Sequence, residues 1–178
     1  MATPRIGTVI RNFTLRRVGK GNIFLGAADA ELPNWNALTM ELTGSGLAGK
    51  METVIPGHFQ GLTAKITLHT PDDEFCSFGD VDGDNFELRG IIQGKDPSTN
   101  QRYSKALRVV LGADGVKSAN PGKLTPGEKS DSVIELVTPY VVYFLDGAET
   151  LLWDFYNYRY RVNGNDLLAA DRSLLGLA

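Results

Sequence analysis

"LTAKITLH", residues 62–69, sets the architecture of this chain. Leu62, Ala64, Ile66 and Leu68 alternate with Thr63, Lys65, Thr67 and His69. Side chains on a strand point to opposite faces with a period of two, so this pattern predicts a strand with one buried and one wet face. "LTMELT", residues 38–43, repeats it, with Leu38, Met40 and Leu42 opposed to Thr39, Glu41 and Thr43.

Working outward, strands are expected at 11–17, 22–31, 86–93, 103–111, 132–145 and 150–162. The last two flank Asp146-Gly147, a pair suited to a tight hairpin turn. Helix signals are few. Residues 71–79 carry acids at the start, Phe75 and Phe78 three apart, and a closing Gly79, which predicts about two turns. Residues 165–175 have Asn165 as a cap candidate and Gly176 as a stop. The expected fold class is therefore mainly β, with one or two short helices. The 178 residues suit a single domain, 1–178, and no repeat or boundary divides them. Extended loops are expected near 44–57 and across the polar, Gly/Pro/Lys-rich stretch 112–131. Loops that long in a compact domain are usually functional or disordered.

A net charge of −3 gives no basic footprint for gripping nucleic acid. Cys76 is the only cysteine, so no internal disulfide can form, and a reducing compartment fits. No apolar run approaches a membrane span and the N-terminus does not read as a signal peptide. The expectation is a soluble protein made in the cytoplasm, with no membrane contact.

Three motifs invite chemistry. "GSGLAGK", residues 44–50, spells two phosphate-loop patterns, with Gly44, Gly46 and Gly49 as the glycines. Both patterns need a subsequent helix whose free N–H groups face the phosphate. Pro56-Gly57 leaves no room for one, and Met51 stands where a hydroxyl would meet magnesium. A glycine-rich connection between strands is the simpler reading. "DVDGDN", residues 80–85, places Asp80, Asp82 and Asp84 at the first three calcium-ligand spacings. Asn85 occupies the sharp-turn glycine position and Ile91 the bidentate acid position, so a turn into the next strand is preferred. His58, His69 and Cys76 have no metal-ligand spacing. No catalytic residue, cofactor or metal is assigned, and the chain is read as no enzyme.

"LLWDFYNYRYRV", residues 151–162, has no plainly wet face. Asp154, Tyr156, Tyr158, Tyr160 and Val162 alternate with Trp153, Phe155, Asn157, Arg159 and Arg161. The preceding run, 133–145, is apolar on both sides. Two-sided burial requires a second layer. Either a covering element of the same chain or a neighbouring copy can supply it.

The run Asp146-Gly147, Leu152-Trp153-Asp154, Asn157, Arg161 to Leu168, Arg172 and Leu175-Gly176-Leu177 closely resembles the end of the major tail tube proteins of contractile-tailed phages. "GNIFLGAADAELP" (21–33), "LTMELTGSGLAGKM" (38–51) and "PGEKSDSVIELVTPYVVYFLDG" (126–147) resemble that family's early strand, its strand with glycine-rich loop, and its returning hairpin strand. The helix at 72–79 is shorter than that family leads one to expect, and the loop at 112–131 differs in length.

The resemblance implies two antiparallel sheets in a sandwich or partial barrel. It also implies hexameric rings joined strand to strand and stacked into a tube inside a sheath. The partners implied are sister copies, the tail sheath, and the baseplate and tape-measure proteins, with DNA crossing the lumen unbound. The location implied is the virion tail, assembled in the host bacterial cytoplasm. Gly44, Gly46, Gly49, Met51 and Pro56, with Tyr156, Tyr158 and Tyr160, become candidates for contact between subunits or rings. A lumen that passes DNA should be acidic or neutral, because lysines would release counterions and hold phosphate. Thr39, Glu41 and Thr43, with Thr63, Lys65 and Thr67, are the lining candidates; the opposite sheet is the other source. Alternatives are the tube of a phage-derived bacteriocin or injection system and, more remotely, a β-sandwich that binds calcium or sugar.

Overall fold

The computed structural model describes residues 6–18, 23–46 and 48–177. In chain order the strands are β1 Ile6–Val18, β2 Ile23–Leu25, β3 Ala27–Glu31, β4 Ala37–Leu42, β5 Met51–Phe59 and β6 Thr63–Leu68. Helix α1, Asp73–Ser77, runs into a 3-10 turn at Phe78–Asp80. Then come β7 Asp84–Lys95, β8 Arg102–Ala113, β9 Gly115–Asn120, β10 Ser132–Val137, β11 Tyr140–Leu145, β12 Ala148–Asp154, β13 Arg159–Val162, β14 Asn165–Asp166 and helix α2 Ala169–Leu174.

Eight strands form one antiparallel sheet in the order β14-β13-β12-β11-β8-β7-β1-β2, and four form another in the order β3-β6-β10-β9. β4 and β5 pair only with each other. The two larger sheets face each other across the core. The alternation of 62–69 is realised as read: Ala64, Ile66 and Leu68 are buried, and Thr63, Lys65 and Thr67 are only half-buried. With Ile134 and Leu136 of β10 they pack against Leu15, Phe86, Val109 and Leu111 of the large sheet. Phe78 stacks on Phe86 with ring centroids 5.5 Å apart and plugs one end. Burying each such side chain contributes roughly 1.5–3 kcal/mol. The fold is therefore mainly β, with antiparallel sheets and two short helices, and no barrel closes within the chain.

Several boundaries differ from expectation, each for a local reason. The run 132–145 is two strands in different layers. Thr138 donates its N–H and hydroxyl to the Leu62 carbonyl at 3.0 and 3.2 Å, and Pro139 has no N–H to continue a ladder. The chain crosses between sheets there, which explains why the run is apolar on both sides. Residues 150–162 also break, at a turn over 155–158. Asp154 accepts hydrogen bonds from the Asn157 N–H (3.0 Å) and its side-chain amide (2.7 Å), and Tyr158 takes a positive φ of 50°. Tyr156 and Tyr158 thus do not share a strand face with Tyr160. The expected strand 22–31 divides at Gly26, β2 joining the large sheet and β3 the small one; Asn22 lies outside the described residues. Residues 51–57, expected as loop, belong to β5, and 115–120 form β9 against β10. Asn165 and Asp166 are strand, so α2 is shorter than 165–175. The Asp146-Gly147 turn is as read: both residues have positive φ and join β11 to β12.

Candidate functional site

The acidic stretch 80–85 already has its cation, and it comes from the chain itself. Arg17 on β1 is 2% exposed and lies against this loop. Its Nε donates to Asp84 at 3.1 Å, a terminal nitrogen bonds Asp84 again, another reaches the Ser77 carbonyl at 2.6 Å, and Asp80 accepts at 2.9 Å. Burial works against the cation. Hydrogen bonds to Asp84 and Asp80 outweigh it and hold the Arg17 pKa above its ordinary value. The guanidinium thereby closes the end of α1 and its 3-10 turn onto the sandwich. Among the described residues no group of three or more His, Cys, Asp or Glu side chains could hold a metal ion.

The phosphate-loop stretch is the tip of the β4–β5 hairpin. The chain leaves that tip as a strand, so no helix terminus faces a ligand. Lys50 pairs instead with Glu41 at 2.8 Å. That contact relieves Glu41 and Glu52, like charges set directly opposite across the ladder. Gly46 (φ 93°) and Gly49 (φ 158°) have open space around them, so backbone conformation and not close packing calls for glycine there.

The hairpin leaves the sandwich bare on both faces. Leu38, Met40, Leu42, Met51 and Val54 are all exposed, Met51 at 64%. Its base, in contrast, is firmly held. Phe59 makes edge-on contacts with Trp35, Trp153 and Tyr160, at 5.3, 6.0 and 5.2 Å between centroids. Pro56 sits in β5 where the pairing register shifts. Beside it, Gly57 has φ 73°, and a Cβ there would lie 2.6 Å from Leu168, the buried residue just before α2. Gly57→Ala is expected to lower unfolding stability by about 2 kcal/mol through the strained backbone and this clash. A denaturation midpoint unchanged from the parent would refute that.

The aromatic end divides. Tyr160 belongs to the anchor just described. Tyr158 meets His58 at 3.0 Å, while its carbonyl accepts from Arg172. Arg172 also grips Asp166 at 2.6 Å, and its hydrogen bond holds the Asp166 carboxyl below the usual range despite some burial. Tyr156 is 70% exposed beside exposed Phe155. Of the three tyrosines only Tyr156 is openly presented. The lumen candidates also separate. Thr39 and Glu41 lie on the hairpin and Thr43 at its turn, whereas Thr63, Lys65 and Thr67 lie on the outward face of the small sheet.

The large sheet has two features that the sequence did not disclose. First, β2 pairs only with residues 15–17 of β1, so among the described residues 6–14 pair on one side alone. Exposed Val9 and Ile10 lie on that edge. At the other end of the sheet β14 is two residues long. Second, the face turned away from the core carries ordered charge. One row runs Thr14, Arg89, Arg108, Phe144, and the next runs Arg16, Glu87, Val110, Val142. Arg89 and Arg108 both donate Nε to one oxygen of Glu87, Arg89 at 2.8 Å. Burial disfavours ionised Glu87, but the two arginines prevail and lower its pKa.

A self-contained core with an apolar arm and open sheet borders is the form of an assembling subunit. The sequence model of the phage tail tube protein FII family matches residues 8–176. The chain belongs to the phage tail tube family. It is thus a structural component of a virion tail. No curated protein matches the chain. No helix among the described residues is long and apolar enough to cross a membrane.

Proposed function

We propose that this tail tube protein builds the inner tube of a contractile phage tail. Six copies close into a ring, rings stack, and DNA leaves through the lumen. The observation that carries the reading is the β4–β5 hairpin, solvated on both faces with Leu38, Met40, Leu42 and Met51 exposed on one of them, beside a large sheet with unpaired borders. Exposed edges are sites of strand addition, and closing them around a ring removes the hazard. Ring contact is head-to-tail and closes, while stacking stays open-ended. The hairpin, including Gly44, Gly46, Gly49, Met51 and Pro56, then reaches a neighbouring subunit or ring, with Tyr156 as a second contact. Partners of the tube are the sheath around it and the baseplate and tape-measure proteins that start and measure it, in the host bacterial cytoplasm.

In this proposal the lining is the face of the large sheet turned away from the core, which carries the ordered rows of charge. On this reading the lining includes Thr14, Glu87, Arg89 and Arg108, and the polar residues of β4 and β6 face elsewhere. Glu87 offsets part of the charge of Arg89 and Arg108 on this face. The same tube in a bacteriocin or injection system uses the same surfaces.

Negative-stain microscopy over a concentration series tests the proposal, with rings or tubes of uniform diameter expected. A strictly monomeric species at high concentration would overturn it. Gly46→Pro is expected to spare folding and impair stacking, because proline cannot adopt φ 93° at the tip. Normal polymerisation of that variant would remove the tip from the assembly contact.

A further inference from the structure

A cavity of about 560 Å³ opens on the face of the large sheet turned away from the core. It exists because Ala106 and Gly147 are small where Ile91 and Phe144 beside them are large. Arg89 and Arg108 line it side by side. They are direct cross-strand partners, a like-charge placement that is unfavourable unless something negative lies between. Glu87 supplies one carboxylate, yet it engages only the two Nε atoms. Among the described residues no hydrogen bond occupies the terminal nitrogens of either arginine. The Arg108 guanidinium lies over the Phe144 ring, 5.1 Å from its centroid, a contact that restrains its fork. Arg16, directly opposite Glu87 in the next row, adds a third guanidinium, whose shielded Nε has no partner among the described residues. The other acid at this rim, Asp146, is bonded to the Ala106 N–H at 2.9 Å.

We propose that Arg89 and Arg108, fixed by Glu87 and Phe144 and supported by Arg16, form a site for one phosphate group of a polynucleotide backbone. A planar guanidinium matches the paired oxygens of a phosphate, and here the forks are positioned before the ligand arrives. Glu87 cancels part of the charge, so each contact is weak and exchanges readily. That the phosphate is DNA's rests on the reading of this face as the tube lining; the oxyanion site stands on the subunit alone.

The test is fluorescence anisotropy of a labelled single-stranded oligonucleotide with freshly gel-filtered subunits. Binding on the order of 10⁻⁴ M is expected at low salt, with a logarithmic salt slope near about −0.7 for each phosphate held. Arg108→Lys keeps the charge but loses the fork and the ring contact, and should weaken binding several-fold. Glu87→Gln keeps the shape and removes the competing carboxylate, and should tighten it several-fold. The proposal fails if no oligonucleotide binds, or if both variants titrate like the parent. Full competition by inorganic phosphate at low millimolar concentration would give the site to free phosphate and overturn the polynucleotide assignment. A null result from subunits that still build tubes would sink this site and leave the tube reading standing.

Discussion

Arg17→Met is expected to destabilise the subunit by about 3–5 kcal/mol, because removing one partner of a buried ion pair leaves the other charged and uncompensated. Asp84 is the partner left behind, 8% exposed and without its guanidinium. The Ser77 carbonyl loses its 2.6 Å donor as well, so α1 and the 3-10 turn lose their tie to β1. A guanidinium denaturation curve reads the change in midpoint. Replacing both partners, Arg17→Met with Asp84→Leu, should recover much of the loss, since a buried pair is often matched by apolar groups of similar volume. A loss of less than about 1 kcal/mol from Arg17→Met alone would mean that other contacts hold the loop, against the expectation for a broken buried pair.

The second large effect separates folding from assembly. Met40→Glu with Met51→Glu places two charges on exposed hairpin positions. Exposed substitutions of this kind usually change stability by less than about 0.5 kcal/mol, so the subunit should keep its thermal midpoint. Buried at a contact with another copy, the same charges would be costly, because an unpaired ion loses its hydration without compensation. Tube formation is therefore expected to vanish in microscopy and sedimentation while the monomer remains folded. Normal tubes from the double variant would show that this apolar surface is not the contact. Loss of folding would show instead that the hairpin serves the subunit's own core. The aromatic anchor at Phe59 argues against that, since it fixes the base of the arm and leaves Met40 and Met51 outside it.

The alternation in 62–69 was legible because a strand's faces are set by backbone geometry alone; 38–43 is a strand as read, but its expected buried face is exposed, because β4 pairs with β5 in a hairpin that leaves the sandwich. The Asp146-Gly147 turn and the failure of the phosphate loop were legible for the same reason: each depends on the conformation of a few adjacent residues. The spacing of the calcium-like acids favoured a turn into the next strand, and β7 begins at Asp84. Nothing in that spacing announced that Arg17, far upstream on β1, would take the cation's place. Trp35 and Phe59 gave no periodic signal, yet they meet Trp153 and make the foot of the hairpin.

The sequence by itself determined that the chain is built of strands, where one face is wet, and which residues close its tight turns, because these depend on local sterics and the period of two. Tertiary structure alone decided that Thr138-Pro139 moves the chain from one layer to the other. It also decided that, among the described residues, 6–14 of β1 stand at an open border, and that Glu87, Arg89 and Arg108 meet on one face. Those outcomes depend on which distant strands become neighbours. The sum of many non-local contacts decides that, and no short stretch of sequence contains it.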